Sequence, residues 1–213
     1  MATEKKKFFQ VQIPIINKEI ELLAFNSESL DNRFVKLDLT SDLRGKSLEI
    51  RLKVSLKDGK PIAEPVEIYL MGFFIRRMMR KGTDYVEDSF NVKCKNHTLR
   101  IKPFMITRKK VSREVRKALR ENAKKEIEEY VKGKTFENLI LDMINNKFQK
   151  DLSMKLKKTY PLGLCEIRFL GINDPKGYIE EKTVEKNEEV EYENIEQAKE
   201  EKPLKKSKKK KEE

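Results

Sequence analysis

The hydrophobic period of this chain changes from two to about 3.6 at Ser112, and this change limits the fold to a combination of strands and helices. Apolar and polar residues alternate strictly from Leu48 to Leu56, which is typical of a strand with one buried face. Beyond Ser112, apolar residues recur at helical spacing until Tyr160. We therefore predict an α+β fold.

A β-hairpin is predicted around Asp58-Gly59, a dipeptide that can adopt the positive φ values of a type I′ turn. Alternation resumes at Val66. Because Pro61 and Pro65 lack a backbone N–H, we expect the returning strand to begin after Pro65 or to lie at a sheet edge. Similar patterns predict short strands within 8–39 and a short basic helix over 73–81 that ends at Gly82. They also predict strands over 86–94 and 99–105, joined by a turn at Asn96-His97, and a last strand over 164–170.

Two long amphipathic helices are predicted before the last strand. Ser112 is a suitable N-cap for the first helix, which should close near Gly133. Thr135 can cap the second helix, whose single apolar face continues until Tyr160-Pro161 ends it.

A change in composition near residue 172 predicts a domain boundary. Residues 173–213 contain 8 apolar residues and carry 11 Lys against 13 acidic residues, whereas residues 1–172 carry a net charge of +14. A segment with so little apolar area cannot offset its ordering entropy, so we predict a disordered Lys/Glu-rich tail. The predicted domain, 1–172, comprises an N-terminal arm (about 1–32), a sheet (about 33–107), helices (about 112–159) and a last strand (about 164–172).

Membrane and secreted classes are disfavoured. The longest apolar run, 68–75, is far shorter than the roughly 20 residues of a membrane span. The first residues lack the apolar region of a signal peptide, so we expect a cytosolic protein. Cys94 and Cys165 are then expected to be reduced thiols.

The strongest functional signal is positive charge. Residues 100–125 contain 11 basic residues against two acidic ones, and a second basic cluster occupies 76–81. On the first long helix, the basic residues lie opposite the apolar stripe and would repel one another without a counter-anion such as phosphate. A merely solvated basic face is the alternative explanation. The candidate RNA-binding residues are Arg76, Arg77, Arg80, Lys81, Arg100, Lys102, Arg108, Lys109, Lys110, Arg113, Arg116, Lys117, Arg120 and Lys124.

Signals for catalysis, metals and cofactors are weak. Gly45-Lys46-Ser47 resembles the end of a phosphate-binding loop, but Thr40 stands where the earlier Gly is required. Cys94 and His97 supply two metal-ligand types, whereas a structural zinc site needs four ligands. We therefore expect no catalytic residues, no metal site, no cofactor and no small-molecule substrate.

Several motifs, in order, resemble a known family. They are Lys6-Lys7-Phe8-Phe9, Asp58-Gly59, Arg80-Lys81-Gly82, Leu99-Arg100-Ile101, Thr107-Arg108-Lys109-Lys110 and Tyr160-Pro161-Leu162. Their order and spacing over about residues 5–172 are similar to the archaeal form of the small-ribosomal-subunit protein family called "S three A".

This resemblance implies a mostly antiparallel, β-barrel-like sheet joined to helices, and a structural, non-catalytic role in the small ribosomal subunit. It places the protein in the cytoplasm, on the platform near the messenger exit and the 3′ end of the ribosomal RNA. Implied partners are small-subunit ribosomal RNA and neighbouring ribosomal proteins, with messenger RNA near the exit as a further candidate.

Two other functions remain open from the sequence. One is an RNA-binding accessory factor, such as a chaperone or translation regulator, that is not stoichiometric with the ribosome. The other is a membrane-surface or calmodulin-binding protein that uses the helix over 112–132. Small Ala118 and Ala123 and the lack of Trp on that helix disfavour the second function.

Overall fold

Nine strands form one sheet in a computed structural model that describes residues 5–43, 45–57 and 59–173. The strands are β1 (Lys7–Ile13), β2 (Lys18–Ala24), β3 (Phe34–Asp38), β4 (Leu48–Lys57), β5 (Lys60–Leu70), β6 (Tyr85–Glu87), β7 (Phe90–Lys93), β8 (Thr98–Thr107) and β9 (Leu162–Ile172). The disorder predicted for the tail concerns residues outside the described ones, apart from Asn173.

The β4–β5 hairpin forms where alternation predicts it. Leu48, Ile50, Leu52 and Val54 are all fully buried, and their polar neighbours on β4 face the other side. The hairpin closes with Lys57 opposite Lys60, and Gly59 adopts φ +74°, which only glycine adopts at little cost.

The returning strand differs from the prediction in its start and position. It begins at Lys60 and includes Pro65, and it lies inside the sheet rather than at an edge. The register moves from Arg51 opposite Glu67 to Leu52 opposite Pro65, so Val66 is an extra, bulged residue. A bulge interrupts the hydrogen-bond ladder, and an interrupted ladder accommodates a residue that has no N–H.

The order of strands follows from the two edges of β5 and β8. One edge of β5 pairs with β4, which also pairs with β3, while the other edge meets β1 at Ile62 and β9 at Glu67–Tyr69. One edge of β8 pairs with β9, and the other pairs with β6 and β7. All pairs except β1–β5 are antiparallel.

The sheet stays open among the described residues, so the predicted barrel-like shape is not found in the strand pairing. The segment predicted as an N-terminal arm, 1–32, contributes the antiparallel pair β1–β2 to this sheet.

Four helices accompany the sheet in the described chain: α1 (Gly72–Met78), α2 (Arg113–Lys132), α3 (Phe136–Ile144) and α4 (Lys147–Leu156). The first long helix agrees with the prediction at both ends. Ser112 accepts a hydrogen bond from Val115 N at 3.4 Å, and Gly133 follows the last turn. Its buried stripe, Leu119, Ala123, Ile127 and Val131, packs towards β6, β7 and α4.

The predicted second long helix is two helices. Asn146, between α3 and α4, adopts the left-handed conformation with φ +59°, which interrupts the helical hydrogen bonds. Asparagine tolerates this conformation better than most residues. The apolar face is nevertheless kept across the break, with Met143 and Phe148 both buried, so the sequence period did not reveal it.

Two shorter elements also differ from their predicted bounds. The basic helix α1 ends at Met78 because Met79 is extended (ψ 123°), which leaves Arg80 and Lys81 in the following turn. The strand predicted over 86–94 is divided into β6 and β7 at Asp88, whose carboxylate accepts a hydrogen bond from Ser89 N at 2.8 Å.

Candidate nucleic-acid interface

The basic loop Arg108-Lys109-Lys110 leaves the sheet from a buried threonine. Thr107, at the end of β8, is fully buried, and its Oγ1 lies 2.9 Å from Asp84 O and 2.7 Å from Lys109 O. The same oxygen accepts a hydrogen bond from Asp84 N at 3.1 Å. A hydroxyl has one proton, so it donates to one of the two carbonyl oxygens at a time. These contacts hold the base of the loop while its three basic side chains stay exposed.

Asp84 fixes the other end of the same loop. Its carboxylate Oδ2 accepts a hydrogen bond from Val111 N at 2.9 Å, immediately before the N-cap Ser112. The loop is therefore held at Thr107 and at Val111, in both cases by Asp84, the residue before β6. The basic loop and α2 form one continuous surface.

The exposed face of α2 carries most of the predicted residues. Arg113, Lys117, Arg120 and Lys124 are exposed, opposite the buried Leu119. Among the described residues, these four cations form one ion pair within the helix, between Lys117 and Glu121 at 3.9 Å. A pair that is so exposed contributes little to stability.

Arg116 differs from the other basic residues of α2. It is half-buried, and its Nε is buried without a hydrogen-bond partner in the described part of the chain. Lys124, two turns further on, lies with its Nζ 5.9 Å from the centre of the Phe90 ring on β7.

Arg100 and Lys102 lie on β8, where they line a surface depression. Arg100 Nε donates to Ser89 Oγ at 3.2 Å, and Lys102 Nζ lies 5.1 Å from the centre of the Phe169 ring. Asp88 lines this depression and also the one formed by Arg113, Arg116, Lys117, Arg120 and Glu121. The structure thus brings the basic residues of β8 and α2 to the two sides of Asp88.

The basic residues of the 76–81 cluster do not lie together on one face of a helix. Arg77 donates to Gly45 O at 3.2 Å and lies over the Phe74 ring, whereas Arg76 is exposed on α1. Arg80 and Lys81 lie beyond the helix and lead into Asp84, the residue that bonds to Thr107. Arg80 and Lys81 therefore approach the same end of the β6–β8 pair as the basic loop.

Other chemistry finds little support in the described residues. They hold no group of three or more side chains that could bind a metal ion. Cys94 Sγ instead contacts the backbone of His97, donating to its carbonyl at 3.0 Å and accepting from its N–H at 3.2 Å. Among the helices described, none is long and apolar enough to cross a membrane.

A comparison with protein families gives a match to the sequence model of the Ribosomal S3Ae family over residues 2–172. The chain belongs to the Ribosomal S3Ae family. This is a family of ribosomal structural proteins and not of enzymes.

Similar members of the Ribosomal S3Ae family come from archaea, and each is named small ribosomal subunit protein eS1. The protein from Nanoarchaeum equitans is 26% identical over 166 residues, which cover 74% of this chain and 84% of the relative. The protein from Methanothermobacter thermautotrophicus is 24% identical over 172 residues, covering 77% and 88%. The protein from Haloarcula marismortui is 24% identical over 174 residues, covering 78% and 82%.

Sequence reasoning missed the residues that position the basic surface of this Ribosomal S3Ae chain. Asp84 and Thr107 hold the loop, Asp88 borders both depressions, and Arg168, which forms a 2.9 Å ion pair with Glu87, lines the depression of Arg100 and Lys102. Arg168 lies on β9, 66 positions beyond Lys102 in the sequence, so no local charge run signals its presence.

Proposed function

We propose that the chain is a structural constituent of the small ribosomal subunit that binds ribosomal RNA on the platform, near the messenger exit and the 3′ end of that RNA. The names of its relatives and its membership of the Ribosomal S3Ae family support this role. Its partners are small-subunit ribosomal RNA, neighbouring ribosomal proteins and messenger RNA near the exit, and its location is the cytoplasmic ribosome.

The continuous surface of the basic loop and α2 carries the proposal. Thr107 and Asp84 fix the loop at both ends, so its cations are presented without a large loss of backbone entropy on binding. The RNA-binding residues are Arg76, Arg77, Arg80, Lys81, Arg100, Lys102, Arg108, Lys109, Lys110, Arg113, Arg116, Lys117, Arg120 and Lys124.

These residues contact RNA mainly through phosphate. Lysine and arginine neutralise phosphate charge and release counterions, which makes affinity depend on salt but not on base sequence. The arginines add bidentate hydrogen bonds to phosphate and stacking on unpaired bases. The protein is thereby oriented on the folded RNA.

A salt titration of ribosomal RNA binding tests this proposal. We replace the four exposed α2 residues Arg113, Lys117, Arg120 and Lys124 with Gln, which removes four counterion-releasing contacts. The slope of log affinity against log salt should become shallower by about 3, at 0.7 to 0.9 for each contact. A matched variant with Lys36, Lys60, Lys157 and Lys158 changed to Gln removes the same charge elsewhere and should leave the slope nearly unchanged.

Two further measurements separate binding from folding and from transient association. Leu119→Ala, at a fully buried position, should cost about 2 to 5 kcal/mol of stability without changing the salt slope of the folded protein. A stoichiometric subunit should also co-sediment with small subunits through high salt, whereas an accessory factor should dissociate. An unchanged slope in the α2 variant would mean that this face is only solvated.

A further inference from the structure

The outer face of the β1–β2 hairpin carries an exposed apolar cluster. Phe8 is 71% exposed, its cross-strand partner Leu23 is 42% exposed, and Phe25, two residues further along, is 46% exposed. Phe8 is the most exposed large apolar side chain among the described residues. Alternation in a half-buried strand puts polar side chains at such positions, so an exposed apolar cluster there indicates a binding surface.

The cluster is not needed to hold the hairpin on the sheet. Val11 and Ile13 of β1 are buried on the opposite face and supply its packing in the core. Further along the outer face, Gln10 pairs with Glu21 and Gln12 pairs with Glu19, as expected for a face that meets water.

Two cations lie at the apolar end of the hairpin. Lys6 Nζ is 5.3 Å from the centre of the Phe25 ring. Arg33 donates from one guanidinium nitrogen to Leu23 O at 3.2 Å, which leaves the other N–H groups of that side chain for a second acceptor. One cation therefore lies over the Phe25 ring and a second lies at the Leu23 backbone, whereas Glu19 and Glu21 lie towards the other end of the same face.

We propose that this end of the β1–β2 hairpin binds unpaired RNA nucleotides, with bases stacked on Phe8 and Phe25 and phosphates contacted by Lys6 and Arg33. Aromatic rings combined with nearby cations are the recurring means of binding single strands, because every base has a π-face and every nucleotide carries a phosphate. Base-paired RNA conceals its base faces, so this surface selects single-stranded segments.

Charge favours RNA over a protein as the occupant. An apolar protein partner could bind a cluster that has no cations beside it. The phosphate backbone of a single RNA strand, in contrast, needs cations beside the cluster. The site comprises Phe8 on β1 and residues that flank β1, β2 and β3, and it shares no residue with the basic surface of α2. It adds a single-strand function to the phosphate contacts proposed for that surface.

Tryptophan fluorescence gives a direct test, because the chain contains no Trp. The Phe8→Trp variant places one fluorophore in the cluster, and a matched Gln12→Trp variant places one on the same face beside Glu19. On titration of the full chain with a twelve-nucleotide oligoadenylate, the Phe8→Trp signal should be quenched saturably and the Gln12→Trp signal should not. A blunt RNA duplex of the same length should quench neither.

Conservative variants distinguish stacking from general apolar contact. Phe8→Tyr should keep the affinity for the oligoadenylate, whereas Phe8→Leu, which keeps an apolar side chain, should weaken it about 5- to 150-fold. Because Phe8 is exposed, neither change should alter the fold, and circular dichroism checks this.

Several outcomes would overturn the site. Equal quenching of the two tryptophans would mean that the RNA is held by charge alone. Equal affinity of the Leu and Tyr variants would favour a protein partner for the cluster. Failure of the α2 variant to change the salt slope would contradict the phosphate surface but not this site, because quenching at position 8 does not depend on α2.

Discussion

Lys46 and Glu166 form an ion pair that is almost closed to solvent. Lys46 Nζ lies 2.6 Å from Glu166 Oε2, and the two side chains are 9% and 12% exposed. Lys46 also donates to Asn146 Oδ1 at 2.6 Å. One side chain thus joins the segment before β4, strand β9 and the break between α3 and α4.

Removal of one partner of this pair should be strongly destabilising, because it leaves a buried charge without compensation. We expect Glu166→Gln to lower the free energy of unfolding by about 3 to 5 kcal/mol. The double change Lys46→Met with Glu166→Leu should cost much less, since it leaves neither charge behind. Urea unfolding of the three proteins measures these differences, and a loss below about 1 kcal/mol in the single variant would show that water reaches the pair.

The hydroxyl of Thr107 should stabilise the basic loop. Thr107→Val keeps the shape of the side chain but leaves Asp84 N–H without its acceptor, which should cost about 1 to 3 kcal/mol. Hydrogen exchange at Asp84 and Val111 should become faster, and RNA affinity should fall because the loop is less well fixed. Thr107→Ser retains the hydroxyl and should restore slow exchange at both amides. Slow exchange in the Val variant would contradict this role.

Stability should depend on pH through Asp142. Burial acts to raise the pKa of this carboxyl, but hydrogen bonds from Lys134 and Tyr130 outweigh burial and hold the pKa below its ordinary value. The carboxylate therefore contributes stability above the unfolded pKa of about 4, and this contribution is lost as the pH falls through the lower pKa of the folded state.

The Lys134 side of the same contact acts in the alkaline range. Burial acts to lower the pKa of Lys134, but hydrogen bonds with Asp142 and Tyr130 raise it above its ordinary value. The contribution of Lys134 to stability is present below the unfolded pKa of about 10.4 and is lost as the pH rises through the folded pKa.

Urea unfolding across pH tests the role of Asp142 in the acid range. Asp142→Asn should flatten the acid limb of the stability curve, and an acid limb identical to that of the parent protein would contradict this role of Asp142.

The two cysteines should differ in reactivity. Burial, followed by the charge of Glu166, raises the pKa of the Cys165 thiol to about 12, so almost no thiolate forms at neutral pH. Cys94 is partly exposed in the turn after β7. A thiol reagent should therefore modify Cys94 quickly in the native protein and Cys165 only on unfolding. Cys94→Ser should abolish the fast phase, and a remaining fast phase would mean that Cys165 is accessible.

Local pattern was sufficient for much of the fold. The alternation over Leu48 to Leu56 located β4, and the Ser112 cap located the start of α2, because both signals depend on neighbouring residues alone. The wrong prediction for the start and position of β5 concerns a place where a distant contact overrides local preference. Pro65 lies inside the sheet because a bulge removes the need for its N–H, and that bulge is a property of the pairing with β4.

The candidate interface likewise combines residues that the local sequence pattern predicts with residues that only distant contacts bring together. Its exposed cations were visible in the sequence as a run of charge opposite an apolar stripe. The residues that position them, Asp84 and Thr107, were not, because the Thr107 hydroxyl and the Asp84 backbone, 23 positions apart, become partners only when β6 pairs with β8. The bonds of Lys46 with Glu166 and Asn146 likewise join segments that are distant in the chain.

Periodicity and composition, which act over a few residues at a time, were enough to predict the α+β class, the sign of the charge on residues 1–172 and the face of α2 that carries it. Which charges share a surface, which strand residues stay exposed and which cations pair with an acid became known only from the folded chain. Pairing and packing bring together groups that no local pattern relates, and burial then sets how strongly they interact.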